Sequence, residues 1–330
     1  MPQIMKILLA HTPSLRNNYY GDQAITGLRA LGRVKFHESE TALSPVELIE
    51  AAKDVDVIVA DRLTTVPKIV FDSLPNLKVV LRCAVDVRNI DITAASEKGI
   101  LVTHAKPGFV ESVSELVVGY LVDLSRGISH YARAYHEGNP APAKMGQQLS
   151  GSTIGIIGYG AIARHTSEIA NTLGMQVIVY DPYVDDVPSF ASKVTLEVLL
   201  KSADYIVCLA VATEETENLM NADRFKLMKK SAFFINPSRG NLVDENALLD
   251  VLLNKSIAGA ALDVGRFPDQ MPNPSLAALP IVIATPHIGG LTPPAIMAQA
   301  LDTVEQVGEL SNGLIPHGSL NSDNWTRPIK

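Results

Sequence analysis

Three polar side chains stand directly after short apolar runs in the second half of this chain, and their types suit one kind of chemistry. Arg239 ends the run Phe234-Ile235-Asn236-Pro237-Ser238, Asp263 follows Ala260-Ala261-Leu262, and His287 lies in Ala284-Thr285-Pro286-His287-Ile288-Gly289-Gly290. A guanidinium can stabilise negative charge growing on a carbonyl oxygen, and an imidazolium can quench that charge by giving up a proton. Each residue also has a plainer reading: Arg239 as a surface charge, Asp263 as a turn former, His287 as a satisfied loop histidine. If the apolar runs are strands of one parallel sheet, however, all three lie at its carboxyl edge, where open α/β sheets bind ligands. Convergence on one edge favours shared chemistry over three accidents.

A second feature supplies a place for a nucleotide. The segment Gly151 to Ala163 reads as a strand, a glycine turn and a helix start. Gly158 can take the tight turn and Gly160 lets the backbone approach a pyrophosphate, while small Ala163 lets helix pack on strand. The free N–H groups of a helix beginning at Tyr159, Ala161 and Ile162 would receive the anion. Alone, G-x-G-x-x-A is a weak signal that a structural turn explains equally well. The next apolar run ends at Tyr180-Asp181, about 20 residues on, where an acid can accept hydrogen bonds from ribose hydroxyls. That carboxylate would repel the 2′-phosphate of NADP, so NAD is the expected cofactor; Asp181 could otherwise simply open the Asp181-Pro182 turn.

The elements that must position these residues are legible as alternation. With 330 residues, 47% of them hydrophobic and 19% charged, the chain is long enough for two domains of roughly 150 residues. In the first hundred residues Ile7–Ala10, Val57–Ala60 and Leu77–Leu81 alternate with the amphipathic stretches Ala24–Leu31 and Leu48–Ala52. This predicts a parallel sheet covered by helices on both faces. A long helix is predicted from Gly108 to Arg126, and Gly138 to Met145 reads as loop. Six further strands follow, at 154–157, 176–180, 205–209, 232–235, 257–262 and 281–284, interleaved with helices: a doubly wound sheet. A helix from Ala295 to Leu310 and an extended stretch from Gly313 to Lys330 complete the chain. The net charge of −7 without Lys/Arg clusters gives no footprint for nucleic acid or an anionic membrane surface. Nor do about 18 apolar residues follow one another as a spanning helix requires. Cys83 and Cys208 lack metal or redox spacing, so no metal site is expected, and both read as reduced thiols of a cytoplasmic protein.

Taken together, these segments resemble the D-isomer-specific 2-hydroxyacid dehydrogenase family, the group of phosphoglycerate dehydrogenases and glyoxylate/hydroxypyruvate reductases. The resemblance runs from about Pro75 to Gly290. Its most specific parts are Asn236 to Gly240 continuing into Leu242-Val243-Asp244-Glu245, Gly259 to Val264, and Thr285-Pro286-His287. It implies two doubly wound parallel-sheet domains: a flavodoxin-like substrate domain from residues 1–103 plus 291–330, and an inserted Rossmann NAD-binding domain from 104–290. It implies that Arg239 binds a substrate carboxylate and polarises the 2-keto oxygen, that His287 exchanges the proton, and that Asp263 holds the nicotinamide carboxamide. Pro237, Ser238, Arg239, His287 and Gly289 would border the cofactor, and Ala84, Val85 and Asp86 the substrate. A small acid as substrate and a homodimer are implied as well.

The sequence departs from that pattern twice. The family's third catalytic residue, a glutamate five residues after the aspartate, is here Pro268; Asp269, one residue later, could reach His287 or be a solvated loop residue. In the substrate loop Asp86 stands for a glycine and Arg88 for an aspartate, while Asn89-Ile90-Asp91 remain. A carboxylate at an anion site would discourage a plain 2-keto acid unless a cation such as Arg88 neutralises it. Two alternatives therefore stay open: NAD-dependent oxidation of an unusual donor of formate or phosphite type, and an NAD-binding regulatory protein of corepressor type.

Overall fold

The computed structural model describes residues 4–329, the side chain of Asp269 excepted. The chain divides into two compact units, one formed by Met1–Gly108 with Pro293–Lys330 and the other by Phe109–Thr292.

The first unit is built on a five-stranded sheet of β1 (Lys6–Leu9), β2 (Arg33–Phe36), β3 (Val57–Ala60), β4 (Val79–Arg82) and β5 (Leu101–His104). All neighbours are parallel and the order is β2-β1-β3-β4-β5. Strands β3 and β4 are buried at every position, as a sheet covered on both faces demands. Apolar side chains pack on each face: Leu8, Ile58 and Val80 meet Leu48 and Phe71 on one, and Ile7, Val59 and Leu81 meet Leu28, Val307 and Leu310 on the other. The second face depends on the helix Pro293–Ser311, which lies against the helix Asp22–Leu31. A Cβ on Gly27 would come within 2.7 Å of Val304, so these helices touch nearly backbone to side chain.

The second unit carries a seven-stranded parallel sheet: β6 (Thr153–Ile157), β7 (Gln176–Tyr180), β8 (Ala191–Lys193), β9 (Tyr205–Cys208), β10 (Phe233–Asn236), β11 (Gly259–Leu262) and β12 (Val282–Ala284). Its order is β12-β11-β10-β9-β6-β7-β8, the doubly wound arrangement with a reversal between β6 and β9. Helix Val110–Arg126 covers one face, with Val117, Tyr120 and Leu121 in the core beside Ile154 and Ile156.

Several local expectations need correction. The second series has a seventh strand, β8, and the first contains β2 and β5; β2 and β8 are edge strands with only partial burial and lack the apolar run that marks the central strands, whereas β5 is buried at three of its four positions. The long helix is followed after Gly127 by a second, Ile128–His136, that buries none of its residues and leaves its apolar face, with Ile128, Tyr131 and Tyr135, uncovered within the chain. The final stretch is not simply extended: it holds a short 3-10 turn at Ser322–Asn324, and Ser319 bridges Thr103. Among the described residues no helix is long and apolar enough to cross a membrane.

Candidate active site

The glycine turn sits at the reversal of the seven-stranded sheet. Gly158 has φ 87°, and a Cβ there would lie 2.6 Å from backbone atoms of Ala210, so both conformation and space require glycine. Gly160 is the N-cap of helix Ala161–Thr172 and offers no capping side chain. The first-turn amides, including those of Ala161 and Ile162, thus face outward uncapped, which is what a pyrophosphate needs. A Cβ on Gly160 would meet nothing within 4 Å, leaving room for close approach.

Asp181, at the end of β7, is drawn into this turn. One carboxylate oxygen accepts the Tyr159 N–H at 2.7 Å and the other the Tyr183 N–H at 2.8 Å. Each oxygen keeps one further lone-pair site for a ribose hydroxyl. The Tyr159 side chain points into the core, its hydroxyl 3.1 Å from Ser167 Oγ, and its amide is engaged by Asp181. It shapes the turn from within.

Beyond β10 the chain is held by a web of short bonds. Ser238 N–H donates to Asn236 Oδ1 at 3.1 Å, Asn236 Nδ2 donates to the Arg239 carbonyl at 2.9 Å, and Ser238 Oγ donates to the Ala210 carbonyl at 2.9 Å. Pro237 is buried in this loop. Arg239 is half-buried, with Nη1 donating to the Ser238 carbonyl at 2.7 Å. The loop therefore fixes where the guanidinium starts, directly beside the Ala210 loop that lies against Gly158.

The Asp263 carboxylate, 1% exposed, gathers the turn that carries His287. It accepts from Thr285 Oγ1 at 2.6 Å, Ile288 N–H at 2.8 Å and Gly289 N–H at 2.7 Å. Because a carboxylate only accepts, Thr285 must donate to it, and Tyr120 must then donate to Thr285. Burial and the Asp263 charge push the Tyr120 phenol up from 10.0, so it stays a donor. His287 adopts φ 54°, an unusual conformation for a side chain of this size. Gly289 has no room for more: a Cβ would lie 2.9 Å from the Asp263 carboxylate. Asp263 was expected to face a ligand, and the bonds it makes organise the His287 turn. The Tyr120–Thr285 link leaves no local mark in the sequence: Tyr120 lies at a buried position of its helix, and its hydroxyl needs a partner there. Asp269 lies in the short 3-10 turn Pro268–Gln270, and its side chain is outside the described residues.

The loop after β4 belongs to the first unit. Arg88 neutralises Asp86 through Nε at 3.0 Å from each carboxylate oxygen and Nη2 at 2.6 Å, while Arg82 Nε donates to the Asp86 carbonyl at 2.9 Å. Ala84, Val85 and Asp86 are half-exposed. Asn89 ties this loop to the one after β3 by donating to the Asp61 and Thr64 carbonyls at 3.0 and 2.6 Å, and Asp91 caps helix Ile92–Glu97. Those two residues of the familiar run thus have structural duties.

Comparison with known proteins gives consistent results. Residues 118–289 match the family model described as D-isomer specific 2-hydroxyacid dehydrogenase, NAD binding domain. The chain is 35% identical over 308 residues to a D-3-phosphoglycerate dehydrogenase of Methanocaldococcus jannaschii, covering 92% of this chain and 58% of that protein. It is 32% identical over 264 residues to a hydroxypyruvate reductase of Thermotoga maritima, covering 79% and 86%. The crystal structure of the TT0316 protein from Thermus thermophilus superimposes with a TM-score of 0.86 at 29% identity, covering 96% of this chain and all of that one. The chain spans between 52% and 69% of the length of these phosphoglycerate dehydrogenases. Its second unit is an NAD-binding domain, and the chain belongs to the D-isomer specific 2-hydroxyacid dehydrogenase family.

Proposed function

We propose that the protein is an NAD-dependent oxidoreductase that interconverts a small 2-keto acid and its D-2-hydroxy acid. The observation that carries this reading is the Asp263-centred turn: three hydrogen bonds hold His287 in a left-handed conformation, beyond the strand next to the one that follows the Arg239 loop. A non-glycine backbone held in the left-handed region by a buried carboxylate is a feature that clusters at functional sites. Bound NADH supplies the hydride that arrives at C2. Arg239 holds the substrate carboxylate and stabilises the charge that builds on the carbonyl oxygen, and His287 donates a proton to that oxygen as the C2–H bond forms. In the reverse direction His287 takes the hydroxyl proton. The uncapped start of helix Ala161–Thr172, with Asp181, favours a pyrophosphate and a free 2′-hydroxyl, hence NAD over NADP.

In this reading the first unit is the substrate domain, its loop Ala84–Asp86 presenting backbone N–H groups. We propose further that the protein is a cytoplasmic homodimer. The exposed helix Ile128–His136, with Ile128 53% and Tyr135 70% exposed, supports association, and the two buried free thiols suit a reducing compartment. The test of activity is NADH oxidation followed by absorbance against a panel of 2-keto acids, and NAD reduction with D-2-hydroxy acids, formate and phosphite. Turnover of the keto acids is expected. Tight NADH binding with a flat trace across the panel would overturn the reading, and light scattering decides the dimer.

A further inference from the structure

The loop that carries Arg239 is anchored upstream by Asn236 and Ser238, whose bonds reach no further than the Arg239 carbonyl. Immediately downstream the chain makes a 3-10 turn, Gly240–Leu242. Its own bonds are those of the Leu242 N–H to the Arg239 carbonyl at 3.4 Å and of the Val243 N–H to the Gly240 carbonyl at 3.0 Å. A single turn of this kind leaves the carbonyls that follow it without internal partners. Donors from elsewhere in the second unit must therefore hold the downstream side.

Two sets of donors do so. The segment before helix Ala222–Lys226 runs alongside, with the Asn218 N–H donating to the Asn241 carbonyl and the Met220 N–H to the Leu242 carbonyl, both at 2.8 Å. Arg266, four residues beyond β11, then joins both stretches to the loop that begins at Asp263. Its Nε donates to the Val243 carbonyl at 3.1 Å and its Nη2 to the Asn241 carbonyl at 2.9 Å and Asn218 Oδ1 at 2.7 Å. Nη2 also lies 2.7 Å from Glu217 Oε1. The Arg266 N–H donates to Glu245 Oε1 at 2.7 Å, which fixes the root of the side chain. The two backbones touch as well: a Cβ on Gly240 would collide with the Gly265 carbonyl, so the residue after Arg239 rests directly on the residue before Arg266.

A surface ion pair does not account for this placement. Arg266 and Glu217 are 33% and 40% exposed, where such a pair contributes little. The bonds to the Asn241 and Val243 carbonyls are directional, and they set the peptide planes that follow Arg239. A guanidinium that stabilises a growing oxyanion has to be held closely in place, because a displacement of about 1 Å costs up to a hundredfold in rate. Asp263, which organises the His287 turn, stands three residues before Arg266 on the same loop. We propose that Arg266 is a positioning residue: it fixes the Arg239 turn to the loop that starts at Asp263, so that Arg239 and His287 act on one carbonyl group. The proposal rests on the keto-acid reading above.

The test combines kcat/KM for whichever 2-keto acid is turned over best, NADH binding by fluorescence titration, and amide hydrogen exchange in peptides covering residues 237–244. Arg266→Ala is expected to lower kcat/KM by about ten- to hundredfold, to bind NADH still, and to speed exchange in 237–244 while β6 and β9 keep their protection. Arg266→Lys retains the charge beside Glu217 but not the planar fork, so it should recover only part of the rate. Because the effect passes through Arg239, the same Arg266→Ala change made in Arg239→Lys protein should cost no more than about threefold. Should Arg266→Ala fail to fold, the cycle is run with Arg266→Lys, whose smaller loss must likewise vanish in Arg239→Lys protein. Activity of Arg266→Ala within about twofold of the original, an equal loss in both backgrounds, or unchanged exchange in 237–244 would each overturn the proposal. If NADH oxidation by the unmodified protein is flat for every acid, the proposed reaction fails. Exchange alone then judges the clamp: faster exchange confined to 237–244 in Arg266→Ala supports it, and unchanged exchange refutes it.

Discussion

Substitutions at Asp263 and His287 test whether a buried carboxylate holds the turn that carries His287 against its own backbone preference. In Asp263→Asn the carbonyl oxygen can still accept from Thr285 and Ile288, but an NH2 now confronts the Gly289 N–H where a carboxylate oxygen stood at 2.7 Å. Losing one charge-assisted bond costs about 1.5–3 kcal/mol. In Asp263→Ala all three donors lose their acceptor, and at about 1–3 kcal/mol each the cost becomes about 3–9 kcal/mol. The backbone at His287 is read by comparing His287→Gly with His287→Ala, because both lack the imidazole and differ in how they tolerate φ 54°. The left-handed conformation disfavours alanine by roughly 1–2 kcal/mol, against about 0.4–1 kcal/mol in its favour from the less flexible unfolded chain. Glycine should therefore be the more stable by about 0.5–1 kcal/mol, the difference of those two terms. Urea denaturation followed by circular dichroism measures each variant. An Asp263→Asn protein within about 0.5 kcal/mol of the original, or an alanine variant more stable than the glycine one, would refute the reasoning.

Other outcomes follow from the same geometry. Gly158→Ala should lose stability and NADH binding together, since its Cβ meets the Ala210 backbone at 2.6 Å, whereas Gly160→Ala, with open space around it, should fold normally and lose NADH affinity alone; thermal unfolding and fluorescence titration separate the two. Arg239→Ala should lower kcat/KM by about 10²–10³ while NADH still binds, and Arg239→Lys should restore only part, because a point charge cannot make a bidentate contact. Asp181→Ala should narrow the advantage of NADH over NADPH, measured as a ratio of kcat/KM values; equal use of both cofactors by the unmodified protein would contradict the role given to the carboxylate. His317 tests a different region: burial lowers its pKa, but Asp302 at 2.9 Å and Glu309 at 3.1 Å outweigh that and raise it above 6.5. A raised histidine stabilises the fold fully below its unfolded value and loses that contribution as pH climbs through the folded one. The Tm of the unmodified protein should thus decline from about pH 6 to about pH 9 more steeply than that of His317→Asn.

The sequence is most informative where one requirement dominates. Central strands such as β3, β4 and β9 are buried on both faces and must be runs of apolar residues, so their positions could be read directly. The glycine turn was legible for the same reason: Gly158 admits no side chain, and Asp181 follows at the separation that a strand-helix-strand unit imposes. Edge strands β2 and β8 escaped because solvent tolerates nearly any residue there. At the site, residue types announced Arg239, Asp263 and His287, but not the division of labour. That Asp263 bonds the His287 turn, and that Tyr120 reaches the same turn from a helix 165 positions away, depends on three-dimensional proximity that no local pattern encodes. Arg266 is silent in the sequence because a loop arginine carries no motif; only its bonds to the Asn241 and Val243 carbonyls mark it.

The way the first unit is closed has a consequence for how the protein is made. One face of its sheet, with Ile7, Leu9, Val59 and Leu81, is covered by Ala300, Val307 and Leu310, and Asn321 bonds the backbone of Ile100 and Val102 at 2.9 and 2.8 Å. Those covering residues leave the ribosome only after the whole of Phe109–Thr292. At about 5–20 residues per second, the roughly 200 residues between Gly108 and Leu310 take about 10–40 s to add. Throughout that interval the early strands carry an uncovered apolar surface, while Phe109–Thr292, being contiguous, can fold as soon as it emerges. The order of maturation therefore inverts the order of synthesis for these two units: the one begun first is completed after the one begun second, and translation pauses or truncations shortly beyond residue 292 strand it in a state that chaperones must shield.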